Sequence, residues 1–400
     1  MARTDYDLIT IGGGIAASSL AKVVAEAGHR VLVVERETAF RDRVRGEYMA
    51  PWGVAETQTL SVYDTLKAAG AHDVPKFEFR FGPPSEPRDY RSTTPLQLPA
   101  LSFYHPAVQE ALIEAALGAG AEVRRGATVT GVQPGSPPTV DVRNGDGHTT
   151  LSARLIVGAD GRSARSRHAF QAQPHPQHAP RFIAGVLLDS VAAPEDTALA
   201  AVDLNNGRVG LIFPQGNGRA RAYSGFRGDD AERLDGPDAY DRFVDACVAS
   251  GVDPASYANA TVQGPLATFE CAAEFVPHPH RDGVALIGDA ATTTDPSWGQ
   301  GLGMGFRDAR VLSHHLLSHD DWPAAADRYA EEHDRDVNVM INVETWLTQL
   351  FLDGGPEAES RRAQALPLIM TDPTRIPNHL NSGPELPFDD SIRSRLFGEE

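Results

Sequence analysis

The chain has 400 residues, of which 41% are hydrophobic and 22% charged, and its formal net charge is −18. This length suits two or three domains, and the composition is that of a globular protein and not of a disordered one. The acidic balance disfavours nucleic acids and anionic membrane surfaces as partners. The two cysteines, Cys247 and Cys271, exclude a disulfide framework and favour a cytoplasmic location. With no apolar run of spanning length and no signal-peptide pattern, we expect no integral membrane association.

The first 35 residues have the pattern of a βαβ unit. A short apolar run over 6–11 ends in three glycines, an alanine-rich segment follows over 15–27, and 31–34 is a second apolar run. Strand, glycine turn, helix and strand in this order predict parallel strands buried inside a sheet.

This unit contains the motif Gly12-x-Gly14-x-x-Ala17, followed by Glu35 at the end of the second predicted strand. Gly12 permits a tight turn, Gly14 lets a pyrophosphate approach the backbone, and Ala17 allows close packing of the helix on the sheet. The helix start offers free N–H groups to phosphates, and Glu35 is placed to accept a hydrogen bond from a ribose. The unit predicts a dinucleotide site without separating NAD from FAD.

The rest of the chain can be divided by its pattern of predicted helices and strands. A helix is predicted over 106–117, and short strands over 122–125, 128–133, 140–142, 155–157 and 284–287. The middle alternates strand-like pieces (182–188, 208–213 and 219–226) with one helix over 237–249, which indicates a mostly antiparallel inserted sheet. A long helix over about 323–351 precedes a Pro-rich tail.

Two predicted strands end in a Gly–Asp or Ala–Asp step. Asp160 lies in the segment 158–167, where it either serves a ligand or caps the following turn. Asp289 lies at the start of the third motif, which continues through Pro296 and four alternate glycines between 299 and 305, ahead of a predicted helix. These glycines bring the backbone close to something flat or large, and the helix start adds positive potential.

Together the three motifs resemble those of the group A FAD-dependent monooxygenases, which share the p-hydroxybenzoate hydroxylase fold, over about residues 5–350. The resemblance implies an α/β fold: a Rossmann-type, GR2-like FAD-binding domain, an inserted and mainly antiparallel β-sheet substrate domain, and a long C-terminal helix. The expected FAD-binding domain is discontinuous (1–75, 100–170 and 275–322). The substrate domain takes 76–99 and 171–274, and the C-terminal helix and Pro-rich tail take 323–400.

The resemblance also implies which residues hold non-covalent FAD. The ADP half is expected at Gly12, Gly14, Ala17 and Glu35, and backbone N–H groups of Leu302 and Gly303 are expected at the pyrimidine edge of the flavin. The remaining expected cofactor contacts are Arg36, Arg45, Gln109, Val129, Asp160, Asp289, Pro296 and Gly301.

Substrate and proton-transfer residues are less sharply indicated. A pocket between the inserted sheet and the flavin could be lined by Trp52, Tyr104, His105, Phe213, Pro214, Tyr223, Phe226 and Trp298, although aromatic residues of this kind also build ordinary cores. His105 is the candidate catalytic residue, because an imidazole can shuttle protons near neutrality. We expect no metal site, and interpret His175, His178, His278 and His280 as solvated loop residues. Asn338 and Asn342 face either substrate or solvent.

The implied activity is that of a monooxygenase acting on a small organic substrate, aromatic or a natural product. NADPH or NADH would be the transient reductant, and dioxygen would react through a flavin C4a-hydroperoxide to hydroxylate or epoxidise the substrate. We expect a monomer or homodimer. The chain departs from the family pattern at Thr292 (usually His), Gly303 (usually Asn), His105 (usually Arg) and Ala164 (usually Ser), whereas Arg162, Ser163 and Arg167 fit it.

Three alternatives stay open. Flavin-dependent reductases of the geranylgeranyl reductase type carry a Gly-Glu pair similar to Gly46-Glu47. Flavin-dependent halogenases share the fold, but their W-x-W-x-I-P segment is absent and only Lys76 could stand for their catalytic lysine. A flavin-fold binding or scaffold protein without turnover is the third.

Overall fold

The computed structural model describes residues 4–162, 165–170, 173–174, 181–228, 234 and 236–400. In the first part of the chain the elements are β1 (Tyr6–Ile11), α1 (Ile15–Glu26), β2 (Val31–Glu35), β3 (Tyr48–Met49), α2 (Pro51–Thr59), α3 (Tyr63–Ala68), β4 (His72–Val74), β5 (Lys76–Arg80), β6 (Arg88–Asp89), α4 (Tyr90–Thr93), β7 (Ala100–Ser102), α5 (His105–Gly118), β8 (Glu122–Arg125), β9 (Ala127–Gln133), β10 (Thr139–Asn144) and β11 (Gly147–Gly158).

The middle and last parts follow in chain order. They contain β12 (Gln173–Pro174), β13 (Arg181–Asp189), β14 (Thr197–Asp203), β15 (Arg208–Gly216), β16 (Arg219–Arg227), α6 (Ala239–Ala249), β17 (Thr261–Val262), β18 (Ala267–Glu270), β19 (Glu274–Phe275), β20 (His280–Arg281), β21 (Val284–Leu286), β22 (Thr292–Thr293), α7 (Gly301–Ser318), α8 (Trp322–Leu347), α9 (Pro356–Thr371), α10 (His379–Ser382) and α11 (Asp390–Phe397).

The first large sheet, the nucleotide sheet, has the strand order β20-β21-β11-β1-β2-β8. Strand β1 is parallel to both neighbours, with Ile9 opposite Leu32 of β2 and Ile156 of β11. The meander β9-β10-β11 continues from it in antiparallel pairing. Helices α1, α5, α7 and α8 cover one face with a continuous apolar core, and the meander covers the other. The predicted βαβ unit and Rossmann-type architecture are confirmed.

The second large sheet, the substrate sheet, has the order β17-β13-β16-β15-β14-β5-β6. The predicted antiparallel arrangement holds for its centre, where β15 pairs with both β14 and β16. The pair β14–β5 is parallel instead. Parallel neighbours need a long connection, and the chain between β5 and β14 is long enough to provide one. Helix α6 packs on one face of this sheet, and the end of α8 with the C-terminal helices packs on the other.

The C-terminal region is more ordered than its proline content suggested. The predicted long helix is confirmed as α8, which continues as a π-helical turn over Thr348–Leu352. The segment expected to be only a Pro-rich tail forms α9, α10 and α11, and it buries Leu396 and Phe397 in the substrate-sheet core. Proline at the first turn, as Pro356 in α9, starts a helix because that position lacks an N–H partner anyway. Within the described residues, no helix is long and apolar enough to cross a membrane.

Candidate active site

The glycine turn between β1 and α1 contains two glycines with different requirements. Gly12 has φ +98°, and a Cβ there would lie 2.5 Å from the carbonyl oxygen of Ala159. At Gly14 the backbone is extended, and a Cβ would approach only Gln109 among the described residues, with Nε2 4.0 Å away. The protein's own packing therefore demands Gly12, whereas space is left beside Gly14. Gly14 is also the N-cap of α1, whose first N–H groups point outward from the helix.

Glu35 is fixed at the end of β2, directly beside this turn. Its Oε2 accepts a hydrogen bond from the Gly13 N–H at 2.6 Å, and its Oε1 accepts one from the Glu37 N–H at 2.8 Å. The neighbouring Arg36 is exposed and lies 3.4 Å from the Glu37 carboxylate. The Glu35 carboxylate is thus oriented by two backbone N–H groups, and lone pairs remain for hydroxyl donors.

Val129, another predicted cofactor contact, is buried in the core behind the nucleotide sheet, so its side chain serves packing.

Three other segments close around the start of α1. A Cβ at Gly288 would lie 3.4 Å from Cβ of Ala16, and one at Gly305 would lie 3.7 Å from the same atom. A Cβ at Gly46 would lie 3.9 Å from the Leu302 side chain. The starts of α1 and α7, the turn at residue 288 and the irregular segment 36–47 therefore enclose a common site.

Helix α7 begins at Gly301, so Gly303 and Gly305 lie inside it and not ahead of it as the sequence indicated. Gly303 is required there by the Trp52 ring, because a Cβ would lie 2.5 Å from that ring. The Trp52 indole N–H donates to Gln300 Oε1 at 2.9 Å, and the side chain is buried between α2 and α7. Trp52, a predicted pocket residue, therefore has a packing role, while the first N–H groups of α7 stay available.

Asp289 and Arg45, predicted separately as cofactor contacts, lie together. Arg45 Nη1 is 3.6 Å from Asp289 Oδ2, and both side chains are about half exposed. The preceding residue, Gly288, donates its N–H to Asp308 Oδ2 of α7 at 2.7 Å. The Asp289 carboxylate is therefore held at the mouth of the site and not in the apolar interior that the strand pattern suggested.

The segment 36–47, which carries Arg45, is anchored from the substrate sheet. Arg221 of β16, fully buried, donates to Glu47 Oε2 at 2.8 Å and Oε1 at 2.9 Å, and to Asp42 Oδ2 at 2.8 Å. The Tyr223 hydroxyl donates to the Arg45 carbonyl oxygen at 2.6 Å. Burial raises the pKa of Glu47, and the adjacent Arg221 guanidinium opposes that shift.

His105 begins α5 next to this anchor. Its backbone N–H donates to Glu47 Oε1 at 2.9 Å, and its Nδ1 lies 2.9 Å from the Gly46 carbonyl oxygen. A carbonyl only accepts, so Nδ1 carries the proton and Nε2 is an acceptor. Burial lowers the pKa of His105 to about 4, and the Arg45 charge acts in the same direction. At neutral pH the imidazole is uncharged, which suits acceptance of a hydrogen bond better than proton shuttling; its catalytic role stays a prediction.

Asp160 makes the contacts of a cap. Its carboxylate accepts hydrogen bonds from the Ser166 hydroxyl at 2.5 Å and from the Arg165 N–H at 2.8 Å, at the start of a short 3₁₀ helix over Ser166–Ala169. Of the two roles the sequence left open, the contacts of Asp160 are those of the capping role. Arg167 then donates to the Ala290 carbonyl oxygen at 2.6 Å, which ties this turn to the one at residue 288. Ser163 and Ala164 lie outside the described residues.

The predicted pocket aromatics divide between two faces of the substrate sheet. Phe213 and Tyr223 lie on the face toward α8, where Tyr48 stacks on Phe213 with ring centroids 4.5 Å apart. Trp298 packs on the same cluster. Phe226 stacks on Phe182 on the α6 face, where it belongs to the core, one of the two roles that the sequence left open for these aromatic residues.

Two predicted pocket residues remain, Pro214 and Tyr104. Pro214 pairs with Ala220, a residue of the α6 face. Because side chains alternate along a strand, Pro214 lies on the opposite face of the sheet from Phe213. Tyr104 directly precedes α5 and is partly exposed beside His105.

Two further predictions concern polar side chains away from the site. His278 and His280 both contact Asp327 Oδ1, at 3.2 and 2.6 Å, and the three side chains could hold a metal ion. His280 is buried, so the interpretation as a solvated loop residue is wrong for it. His175 and His178 lie outside the described residues. The Asn342 side chain donates hydrogen bonds to Asn338, and Asn338 is exposed. These contacts favour the solvent-facing interpretation of the pair.

Residues 5–338 match the protein family described as an FAD binding domain. The chain belongs to this FAD-binding family. It is similar to rifampicin monooxygenase of Streptomyces venezuelae, with 28% identity over 369 residues that cover 89% of this chain and 74% of that protein. The chain is a flavin-dependent oxidoreductase in a family that contains flavin monooxygenases.

Solved structures agree on the fold. The p-nitrophenol 4-monooxygenase of Pseudomonas putida superposes with a TM-score of 0.77 at 18% identity, covering 92% of this chain and 94% of that one. The myxobacterial chondrochloren halogenase superposes with a TM-score of 0.76 at 22% identity, covering 98% and 95%. At these identities the likeness establishes the architecture and leaves the reaction open.

Thr292, at which the sequence departs from the pattern of the family it resembles, is hydrogen-bonded to an imidazole. Its Oγ1 lies 2.9 Å from Nε2 of His333 on α8. His333 Nδ1 lies 2.8 Å from Asp308 Oδ1, and Asp308 also accepts the Gly288 N–H. Thr292 is therefore connected through His333 and Asp308 to the turn at residue 288.

Several residues that organise the site were missed from the sequence. They are Asp42, Arg221, Asp308 and His333, together with Gln215, which donates to Glu47 Oε2 at 2.5 Å, and Glu344, which accepts the Asp295 N–H. The sequence around Arg221 and Glu344 gives little signal, since Arg219 and Ser224 lie near the first, and Asn342 and Thr345 near the second. Their partners lie far away in sequence, 174 positions in the case of Arg221 and Glu47, so nothing local could identify them.

Proposed function

We propose that this flavoprotein is a monooxygenase that uses NAD(P)H and dioxygen to hydroxylate or epoxidise a small organic substrate, aromatic or a natural product. The balanced reaction is R–H + O₂ + NAD(P)H + H⁺ → R–OH + H₂O + NAD(P)⁺. Bound FAD would supply the redox chemistry by the route that the family resemblance implies, and the protein would bind, orient and exclude water.

The observation that carries the proposal is the convergence of two helix starts with an arginine–aspartate pair. We infer that the α1 start beside Gly14 and the Glu35 carboxylate hold the ADP half of non-covalent FAD. Arg45, Gln109 and Asp289 would then contact the middle of the cofactor, and the α7 N–H groups at Leu302 and Gly303 would stabilise negative charge on the reduced ring. Space beside Gly14, 4.0 Å from the nearest side chain, fits a phosphate approach.

The substrate would lie between the α7 start and the face of the substrate sheet that carries Phe213 and Tyr223. Rifampicin monooxygenase, a relative over most of the chain, is named for a natural product, and the structural neighbour from Pseudomonas putida for a nitrophenol. These names accord with the proposed substrate class, a small organic molecule that is aromatic or a natural product. Cys247 and Cys271 are free and buried, which accords with a reducing cytoplasm.

Halogenation is less well supported. Lys76, the only lysine that could act as the halogenase lysine, is on β5, next to the short edge strand β6, and its Nζ pairs with Asp196 at 2.8 Å. A partly exposed, ion-paired lysine on this strand is not placed to serve chemistry near α7.

The test is a substrate screen under ¹⁸O₂ with holoenzyme, NADH or NADPH, and hydrogen peroxide measured in parallel. We expect substrate-stimulated nicotinamide oxidation and a product that carries one ¹⁸O atom. A product saturated without oxygen would favour the reductase alternative, and a halide-dependent product lost in Lys76→Ala would favour halogenation. No nicotinamide oxidation with any substrate would favour a protein without turnover. Each of these outcomes would contradict the proposal.

A further inference from the structure

Helix α8 carries a buried carboxyl group that the proposed function does not use. Glu344 is 4% exposed, and its helix neighbours Val343 and Leu347 belong to the apolar core beneath the substrate sheet. A carboxyl group at such a position is costly unless both oxygens find partners.

Among the described residues, only one oxygen of Glu344 has a partner. The backbone N–H of Asp295 donates to Oε2 at 3.3 Å, and Oε1 has no hydrogen-bond partner in the described part of the chain. The Asp295 carboxylate is itself engaged, since it accepts the Ser297 N–H at 2.8 Å. Burial and the nearby Asp295 charge raise the pKa of Glu344 well above its usual value. Oε1 can accept a hydrogen bond, and the described residues leave this capacity unused.

Its place in the fold connects this carboxyl to the site. The segment Asp295–Trp298 leads directly into the start of α7, where we place the flavin ring. The Trp298 indole N–H donates to Thr348 Oγ1 at 2.8 Å, one helical turn beyond Glu344, and Trp298 packs on the core that contains Phe213 and Tyr223. Glu344 thus contacts the segment that leads to the proposed flavin position, and its helix neighbours belong to the core beneath the substrate sheet.

We propose that Glu344 is a substrate-recognition residue whose free Oε1 hydrogen-bonds a neutral hydroxyl or amide group on an otherwise apolar substrate. The proposal deepens the function above and rests on it. A leucine at this position would bury the same volume without an unpartnered oxygen, so retention of the carboxyl indicates a ligand that completes it. An anionic substrate group would find no compensating positive charge from Glu344 and would be disfavoured.

The experiment uses FAD-loaded protein and three probes of similar size: phenol, toluene and benzoate. Calorimetric titration gives their dissociation constants for wild type, Glu344→Leu and the matched variant Glu344→Gln. We expect wild type to bind phenol roughly tenfold more tightly than toluene, the worth of one net hydrogen bond, and to bind benzoate least. Glu344→Gln keeps a donor and an acceptor and should retain the preference, whereas Glu344→Leu should lose it.

A stability measurement separates recognition from structure. Glu344→Leu removes a buried unsatisfied oxygen, so its Tm should be higher than that of wild type while the phenol preference is lost. An unchanged phenol-to-toluene ratio in Glu344→Leu, no preference in wild type, or a lower Tm for the leucine variant would overturn the proposal. Protein that does not retain FAD would instead contradict the proposed function, which the visible flavin spectrum reports before any probe is added.

Discussion

Gly12 and Gly14 differ in what a side chain would meet, and this difference predicts opposite phenotypes. Gly12→Ala puts a Cβ into the Ala159 carbonyl at a positive φ, so it should destabilise the fold by about 1–3 kcal/mol. Gly14→Val has room in the folded chain and should keep the wild-type unfolding free energy. It should nevertheless lose FAD affinity by at least roughly tenfold, because the branched side chain occupies the phosphate approach.

Chemical denaturation and FAD titration into folded apo-protein check both predictions. A Gly14→Val protein with wild-type affinity would show that the cofactor does not approach the backbone there. A Gly12→Ala protein of wild-type stability would show that the turn differs from the one described.

His105 predicts a pH effect on stability. Its pKa is lowered to about 4 in the folded protein, against about 6.5 when unfolded, so the unfolded chain binds the proton first on acidification. The stability that this group contributes is present above about pH 6.5 and is lost as the pH falls toward about 4. We expect His105→Gln to lose less stability than wild type over this window in denaturant unfolding. Parallel pH profiles would refute the lowered pKa.

Asp289 predicts a moderate loss of cofactor affinity. Its carboxylate is about half exposed beside Arg45, so its removal leaves no buried charge unpaired. If it accepts hydrogen bonds from ribityl hydroxyls, Asp289→Ala should weaken FAD binding by on the order of tenfold and Asp289→Asn by less. The unfolding free energy of the apo-protein should change little in either variant. Equal FAD dissociation constants for wild type and both variants would leave Asp289 without a cofactor role.

At the scale of elements, the Arg221–Glu47 pair joins strand β16 to the segment 36–47. Both side chains are fully buried, so removing one partner leaves an unpaired charge in the interior. Arg221→Met or Glu47→Leu should each destabilise the protein by about 3–5 kcal/mol. The double variant with the same two substitutions should recover part of that loss, because the buried Glu47 charge and its partner are both removed, while the Asp42 carboxylate still loses its contact with Arg221.

A double-mutant cycle by denaturant unfolding measures this coupling. FAD affinity should remain weakened in the double variant even where stability recovers, because the segment 36–47 that carries Arg45 loses its Arg221 anchor. Strictly additive losses in stability would contradict the pairing of the two residues.

Elements whose signal is local could be predicted from sequence. Helix α8 follows from an uninterrupted helical pattern over 26 residues, and the first strands of the nucleotide sheet from short apolar runs. The helices after residue 355 were missed because proline was interpreted as a breaker, although Pro356 occupies a first turn. The parallel pair β14–β5 was missed because strand direction across a long connection leaves no periodic trace.

The candidate site also contains residues that could be predicted from a local motif and residues that could not. Gly12, Gly14 and Glu35 form a contiguous motif whose geometry follows from one βαβ unit, so their placement could be predicted. Contacts such as Arg221 with Glu47 join strand β16 to the segment 36–47 and depend on the tertiary arrangement. A buried carboxyl such as Glu344 looks, in sequence, like an ordinary polar helix residue.

At the scale of the whole molecule, the substrate sheet and the nucleotide sheet meet through the segment 36–47. Glu47 accepts hydrogen bonds from Arg221 on one side and from the His105 N–H of α5 on the other. The position of Arg45 at the proposed cofactor site is thus set by both sheets. The C-terminal helices add to this assembly, since Arg307 of α7 donates to Glu385 at 3.0 Å.

The most direct measurement is the flavin content of the purified full-length protein after heat or acid denaturation, combined with unfolding of apo-protein at rising FAD concentration. We expect equimolar FAD released into solution, and a Tm that rises with FAD concentration because only the folded chain binds it. Absence of flavin, release of FMN, flavin that stays attached to the denatured chain, or a Tm indifferent to FAD would contradict a non-covalent FAD site between α1 and α7.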